Sequence, residues 1–253
     1  MRRTIWLVAA LALTAAGCAD AGESGEVVSG AAETTTSTSS TSTSTSTSTS
    51  TSTSTTTSTT TTTTVTVVVS GGRTVYQQPY TPFATVGGVT LLHPANRVER
   101  IGYHESNLDG ARPLEPVATS AAWFVMEGRS RDTNSMGAAD VQVDPDAEIR
   151  APVTGTVLFS GTYVLYCRHS DDFLIIEPDD HPGWQVKLLH IDGVRQRPGM
   201  RVEAGKTVVA SRATRLPFAS QVEEGAATPP WPHVHIEVDD PTIPDRPTPG
   251  GGC

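Results

Sequence analysis

The sequence is short of long apolar runs, basic clusters, cysteine and histidine, and each shortage narrows what the chain can be. Residues 5–16 form an apolar run, but it falls short of the about 20 residues that a membrane-spanning helix needs. With a net charge of −9 and no clustered Lys or Arg, the chain carries no electrostatic footprint for nucleic acid. No stretch keeps apolar residues at helical spacing for three turns, which argues against a helical domain. Only seven histidines are present, and two of them stand two apart in "HVHIEV", His233 to Val238.

The amino-terminal region has a recognisable order. Arg2 and Arg3, the apolar run and then "TAAGC" read as an export signal over residues 1–17 that ends in a lipobox. Cleavage before Cys18 would leave that thiol to carry diacylglycerol and hold an exported protein on the outer face of a membrane. A polar segment, 18–33, follows. Residues 34–64 are Ser and Thr throughout; with no apolar side chains, such a tract cannot offset its ordering entropy and is expected to act as a solvated tether. Extended at roughly 3 Å per residue, it would reach on the order of 90 Å. Dense Ser and Thr also invite O-glycosylation.

Residues 65–92 read as an extended approach segment, 93–240 as one domain with a sizeable core, and 241–253 as a Pro/Gly-rich tail. Within the domain, "APVTGTVLFSG", "YVLYCRH", "FLIIEPD", "WQVKLLHI", "MRVEAGKTVVAS" and "HVHIEV" are short runs of Val, Ile, Leu and aromatics parted by Gly, Pro, Asp and Ser. They predict a mainly antiparallel β fold, barrel-like or a two-layered sandwich. The run from 102 to 128, with "LEPVATSAAWFVMEG", reads as a lid or as extra strands. With Cys18 lipidated, Cys167 and Cys253 remain; outside the cytoplasm such a pair suggests a disulfide, against the alternative of a buried thiol and a loose end.

In "HVHIEV" both imidazoles fall on one face of a strand, because side chains alternate with period two. Taken in order, "RAPVTGTVLFSG", "LLHIDGVRQRPGMRVEAGKTVVAS" and "PHVHIEV" resemble the LytM/lysostaphin-type zinc endopeptidases that cut peptidoglycan cross-bridges. The resemblance covers about residues 134–238, and "PGMRVEAGKTV" matches that family's glycine turn, with Gly199 and Gly205 relieving backbone strain. It implies a duplicated hybrid motif fold and one zinc ion held by three ligands, with Asp140 and His235 as two of them. It further implies His233 and His190 as proton acceptor and oxyanion stabiliser.

The chain departs from that pattern at Met136, which stands four residues before Asp140, where the family has its first ligand histidine. A thioether is a poor partner for zinc. His104 in "GYHESNLDGA" is the candidate substitute ligand. His169 and His181 sit among aspartates like solvated loop residues, and His93 before Pro94 reads as a turn. Three readings follow, in this order: a degenerate domain that binds cell-wall peptide or a partner hydrolase without cutting, a working zinc endopeptidase completed by His104, and a structural envelope module without metal.

Overall fold

The computed structural model describes residues 66–118 and 121–246. The export signal, Cys18, the Ser/Thr tract and Cys253 lie outside the described residues. Sixteen strands occur among the described residues, together with a 3-10 turn at Gln221–Glu223. In chain order they are β1 (Thr66–Ser70), β2 (Arg73–Gln77), β3 (Pro82–Val86), β4 (Val89–Leu92), β5 (Arg97–His104), β6 (Glu115–Pro116), β7 (Ala122–Val125) and β8 (Ala138–Val143). There follow β9 (Ile149–Arg150), β10 (Gly155–Leu165), β11 (His169–Pro178), β12 (Gln185–Asp192), β13 (Arg201–Val202), β14 (Val208–Ala210), β15 (Arg212–Ala213) and β16 (His233–Asp239).

The large sheet runs β1-β2-β5-β8-β16-β12-β11-β10-β13, with β7 added to β5 and β15 to β12. Its pairings are antiparallel apart from that of β7 with β5. Two small sheets, β4-β3-β6 and β14-β9, supply Phe83, Leu91, Ile149 and Val209 to the same apolar core as the large sheet. The fold is therefore mainly antiparallel β, a sandwich-like arrangement as the strand-period reading expects.

β8 and β16 lie side by side at the centre, and every residue of both is buried. Alternation divides each strand into two faces. Ala139, Val141 and Val143 with Val234, Ile236 and Val238 join the core, where each large aliphatic side chain stabilises by about 1.5–3 kcal/mol. Asp140, Gln142, His233, His235 and Glu237 share the other face, a row of polar groups withdrawn from water. Burying such groups is costly unless each finds a partner or a ligand, so this face is where function should be sought.

The core does not begin at residue 93. Residues 66–92, the described part of the approach segment 65–92, form β1 to β4, and Phe83, Val86, Val89 and Leu91 are buried in the shared core. Tyr76 on β2 pairs with Val98 on β5, which ties the segment to the large sheet. "YVLYCRH" is likewise two strand ends around a tight turn, with Tyr166 at φ 49° and Cys167 at φ 57°. Cys167 is disulfide-bonded; the expected pairing with Cys253 lies outside the described residues. The 102–128 run does give extra strands, β6 and β7. In the glycine turn, Gly199 and Gly205 adopt φ 87° and 68°, and a Cβ on Gly205 would stand 3.0 Å from Tyr80 Cβ.

Candidate metal centre

Strand register assembles the site. His235 on β16 faces Asp140 on β8, and Asp140 in turn faces Gly102 on β5. His104 lies two residues beyond Gly102 and so on the same face. His104 Nε2 stands 3.2 Å from Asp140 Oδ1, and His235 Nδ1 stands 2.9 Å from the same oxygen. One donor atom from each of His104, Asp140 and His235 lies within 4.8 Å of the others, and all three residues are buried. His104, the candidate substitute, is thus brought to Asp140 and His235 from a strand 36 residues upstream of Asp140.

The hydrogen bonds around this trio suit a cation. His104 Nδ1 is 2.7 Å from the Glu105 carbonyl oxygen, an acceptor only, so Nδ1 carries the proton and donates it there. His104 Nε2 then faces a carboxylate oxygen, a contact that calls for a proton or a metal ion between the two atoms. His235 Nε2 is 3.4 Å from Glu237 Oε2, whose position is fixed by the Ser106 hydroxyl donating to it at 2.6 Å. A carbonyl or carboxylate holding the outer nitrogen of each imidazole is the usual support of a metal-ligating histidine. The set of two imidazoles and one carboxylate matches zinc chemistry and leaves a position for water.

The electrostatics agree. Burial alone would raise the Asp140 pKa, but His233, His104 and His235 outweigh it and hold the carboxyl well below its usual range. Burial opposes charge on His235 as well, yet Asp140 and Glu237 raise it to about 9. Carboxylates and imidazoles on this face thus hold one another in charged form.

A second carboxylate–imidazole pair stands beside the first. His190 Nδ1 donates to Asp171 Oδ2 at 2.6 Å. Asp171 is also held by the Tyr163 hydroxyl at 2.8 Å and the Thr214 hydroxyl at 2.8 Å. Burial disfavours its charge, but these donors bring its pKa below the usual value. His190 itself is an extra residue in its strand: Leu189 pairs with Phe173 and Ile191 with Asp172, leaving His190 between them with φ 60°. A β-bulge of this kind re-aims a side chain, and a non-glycine residue at positive φ costs about 1–3 kcal/mol, a strain common at functional sites. The His190 ring ends up 5.0 Å from His233 and 6.0 Å from His235, centroid to centroid.

His233 completes the group, with Nε2 3.9 Å from Asp140 Oδ2 and Nδ1 3.3 Å from the Ser220 hydroxyl. Asp140, His235, His190 and His233 border a cleft of about 290 Å³, whose walls also include Arg129, Arg131, Tyr166 and Phe218; His104 is buried beside Asp140.

No family model matches the chain, and no curated protein matches it. Among solved structures it is similar to the crystal structure of a zinc containing peptidase from Vibrio cholerae, at 16% identity and a TM-score of 0.31, over 69% of this chain and 47% of that one. The chain therefore spans less than half the length of that neighbour.

The structure brings Asp140, His190, His233 and His235 together at one cleft, with His104 buried against Asp140 and His235. Met136 packs against the apolar core, its carbonyl accepting from Leu114 N at 2.8 Å. Asp171, Tyr163 and Thr214 went unseen in the sequence, where Asp171 sits in "HSDDF" like a solvated loop residue. His93 is no exposed turn residue: it is fully buried and its Nδ1 donates to the Thr81 carbonyl at 2.7 Å. His169 opens β11 rather than a loop, and His181 stacks on Trp184 at 3.6 Å.

Proposed function

We propose that this chain is a zinc-dependent peptidase of the cell envelope, acting on peptidoglycan peptides, with His104, Asp140 and His235 as the metal ligands. The observation that supports it most is the convergence of His104 Nε2 and His235 Nδ1 on Asp140 Oδ1, each imidazole locked by a partner on its other nitrogen. This moves the second reading of the sequence ahead of the first. The peptidoglycan setting rests on the LytM/lysostaphin resemblance, and the outer-face lipid anchor rests on the lipobox at Cys18 and the Ser/Thr tether.

Zinc, when bound, supplies a Lewis acid and lowers the pKa of a water molecule. The protein's own groups divide the remaining work. His233, with Nε2 towards Asp140 and Nδ1 towards Ser220, accepts the proton of the attacking water and later returns it to the leaving amine. His190, which borders the cleft and gives its Nδ1 proton to Asp171, serves the oxygen on which charge develops only as the imidazolium, through a second proton on Nε2. Burial lowers the His190 pKa against the pull of Asp171.

A second reading, a groove that binds cell-wall peptide or a partner hydrolase without cutting, has one observation in its favour: a proton on His235, shared between Asp140 and Glu237, also satisfies the cluster. Zinc content of the full chain, by elemental analysis after dialysis against trace zinc, separates the two, combined with release of soluble peptide from sacculi. The peptidase reading expects about one zinc per chain, lost in His104→Ala together with peptide release. A wild-type chain without zinc leaves the binding module.

A further inference from the structure

The cleft carries cationic groups that the metal chemistry does not use. Arg129 and Arg131 border it, in a chain whose net charge is −9. Their presentation is built from beneath by Glu105, the residue after His104. Glu105 Oε2 accepts from the backbone N–H of Arg129 at 2.9 Å and of Arg131 at 3.0 Å. The Glu105 carbonyl accepts from Arg131 Nη1 at 2.7 Å and from His104 Nδ1 at 2.7 Å, so one oxygen links the ligand histidine to the arginine loop. Ser130 and Asp132 sit at φ 56° and 58°, a left-handed backbone that persists only where its surroundings impose it. Arg129 Nε donates to Gln221 Oε1 at 3.0 Å, which orients its guanidinium, and its Nη2 lies 3.8 Å from Asp140 Oδ2.

Burial and the charge of Arg129 lower the pKa of Arg131 against the opposing pull of Tyr166, Glu105 and Asp140; two cations are held near each other, partly out of water, by a strained loop. That arrangement is unfavourable for a bare surface and favourable for an anion. Guanidinium forks fit carboxylates bidentately. The Tyr166 and Phe218 rings, 5.4 Å apart, also line the cleft and offer an apolar surface for the uncharged body of a peptide.

We propose that Arg129 and Arg131 seat a carboxylate of the peptide bound in this cleft, so that the enzyme selects a bond lying close to an anionic group rather than one within an uncharged peptide. The inference rests on the peptidase reading and names its substrate class. The carboxylate is either the chain end or a side group, and both have the same chemistry.

The test is calorimetric binding to the full chain, freed of zinc by chelator so that nothing is cleaved. Three probes are compared: the synthetic stem peptide L-alanyl-γ-D-glutamyl-L-lysyl-D-alanine, the same peptide amidated at its C-terminus, and the peptide amidated at both carboxyls. Full amidation is expected to weaken binding by roughly ten- to hundredfold, the contribution of charge-assisted hydrogen bonds. Loss on C-terminal amidation alone identifies the chain end as the seated group, and loss only on full amidation identifies the glutamyl carboxylate. The Arg129→Gln, Arg131→Gln double variant is expected to bind acid and diamide alike. Equal affinity of the wild-type chain for acid and diamide overturns the carboxylate seat and leaves the peptidase reading standing. Absence of binding by any form overturns both the seat and the cell-wall reading, while zinc content reports on the metal centre separately.

Discussion

His93 and His104 are equally shut off from water, with 0% and 1% of their surface exposed, and both give their Nδ1 proton to a backbone carbonyl 2.7 Å away. Their surroundings then diverge. His93 lies against Phe83, ring centroids 5.6 Å apart, and burial drives its pKa down to about 4. His104 turns its other nitrogen towards Asp140, with the His235 ring 5.2 Å away. Burial therefore does not tell a packing histidine from a ligand; the carboxylate beside His104 does. His93 is a side chain the core has neutralised, and His104 is one whose second nitrogen the fold has aimed at a carboxylate.

The sharpest way to break the contrast is to remove the carboxylate. Asp140→Asn is expected to lower zinc affinity by more than about a hundredfold, since losing even a supporting partner of a ligand costs about 10 to 100-fold. His93→Phe should leave it unchanged. Competition with a chromogenic chelator measures both.

The next effect is on stability and belongs to His93. Its folded pKa of about 4 lies below the unfolded value of about 6.5, so the unfolded chain takes up a proton first as pH falls. The penalty is absent above about pH 6.5, grows between 6.5 and 4, and levels off on the order of 3 kcal/mol below that. Urea unfolding at pH 7.5 and 4.5 should show the loss in the wild-type chain and a reduced loss in His93→Phe.

A smaller effect is expected at the neighbouring pair. Asp171→Asn replaces the carboxylate that fixes His190 with a neutral amide, losing its charge and one acceptor oxygen, and should cut the turnover number by roughly ten- to a hundredfold with zinc content intact, the range seen when a partner that orients a functional histidine is lost. A fall in kcat at nearly constant KM separates that role from substrate binding. The smallest effect concerns Met136→His. Because His104 already occupies the neighbourhood of Asp140 and Met136 packs against the core, zinc affinity should stay within about threefold, or ~0.7 kcal/mol. A large gain would mean that His104 does not fill the ligand position.

Much of the centre was legible because it is written with period two. "HVHIEV" alternates a core face with a polar face, so the shared face of His233 and His235 could be read from spacing, whereas Asp140 stood out only through its place in the order of motifs that resembles the LytM/lysostaphin-type endopeptidases. The glycine turn was legible through residues that must take positive φ. His104 was visible only as a candidate, because its link to Asp140 is a pairing of β5 with β8 rather than a local motif. Glu105, Arg129 and Arg131 form a second such long-range set. Phe83 and Leu91 were passed over for a different reason: a segment with many Tyr, Pro and Gly punctuations resembles an approach when its partner strands are unknown.

The bulge at His190 bears on how this chain can vary. Along β12 the fully buried aliphatic residues are Val186, Leu188 and Ile191, a spacing of two and then three. The odd step turns both Leu189 and His190 away from the core and restores the inward direction at Ile191. Between Val186 and Ile191 the chain is therefore counted as much as spelled. Exchanging one side chain for another keeps the count, whereas dropping or adding a single residue reverses the parity of everything beyond it and would offer an isoleucine where the cleft holds an imidazole. Relatives of this protein should differ here in composition and not in length.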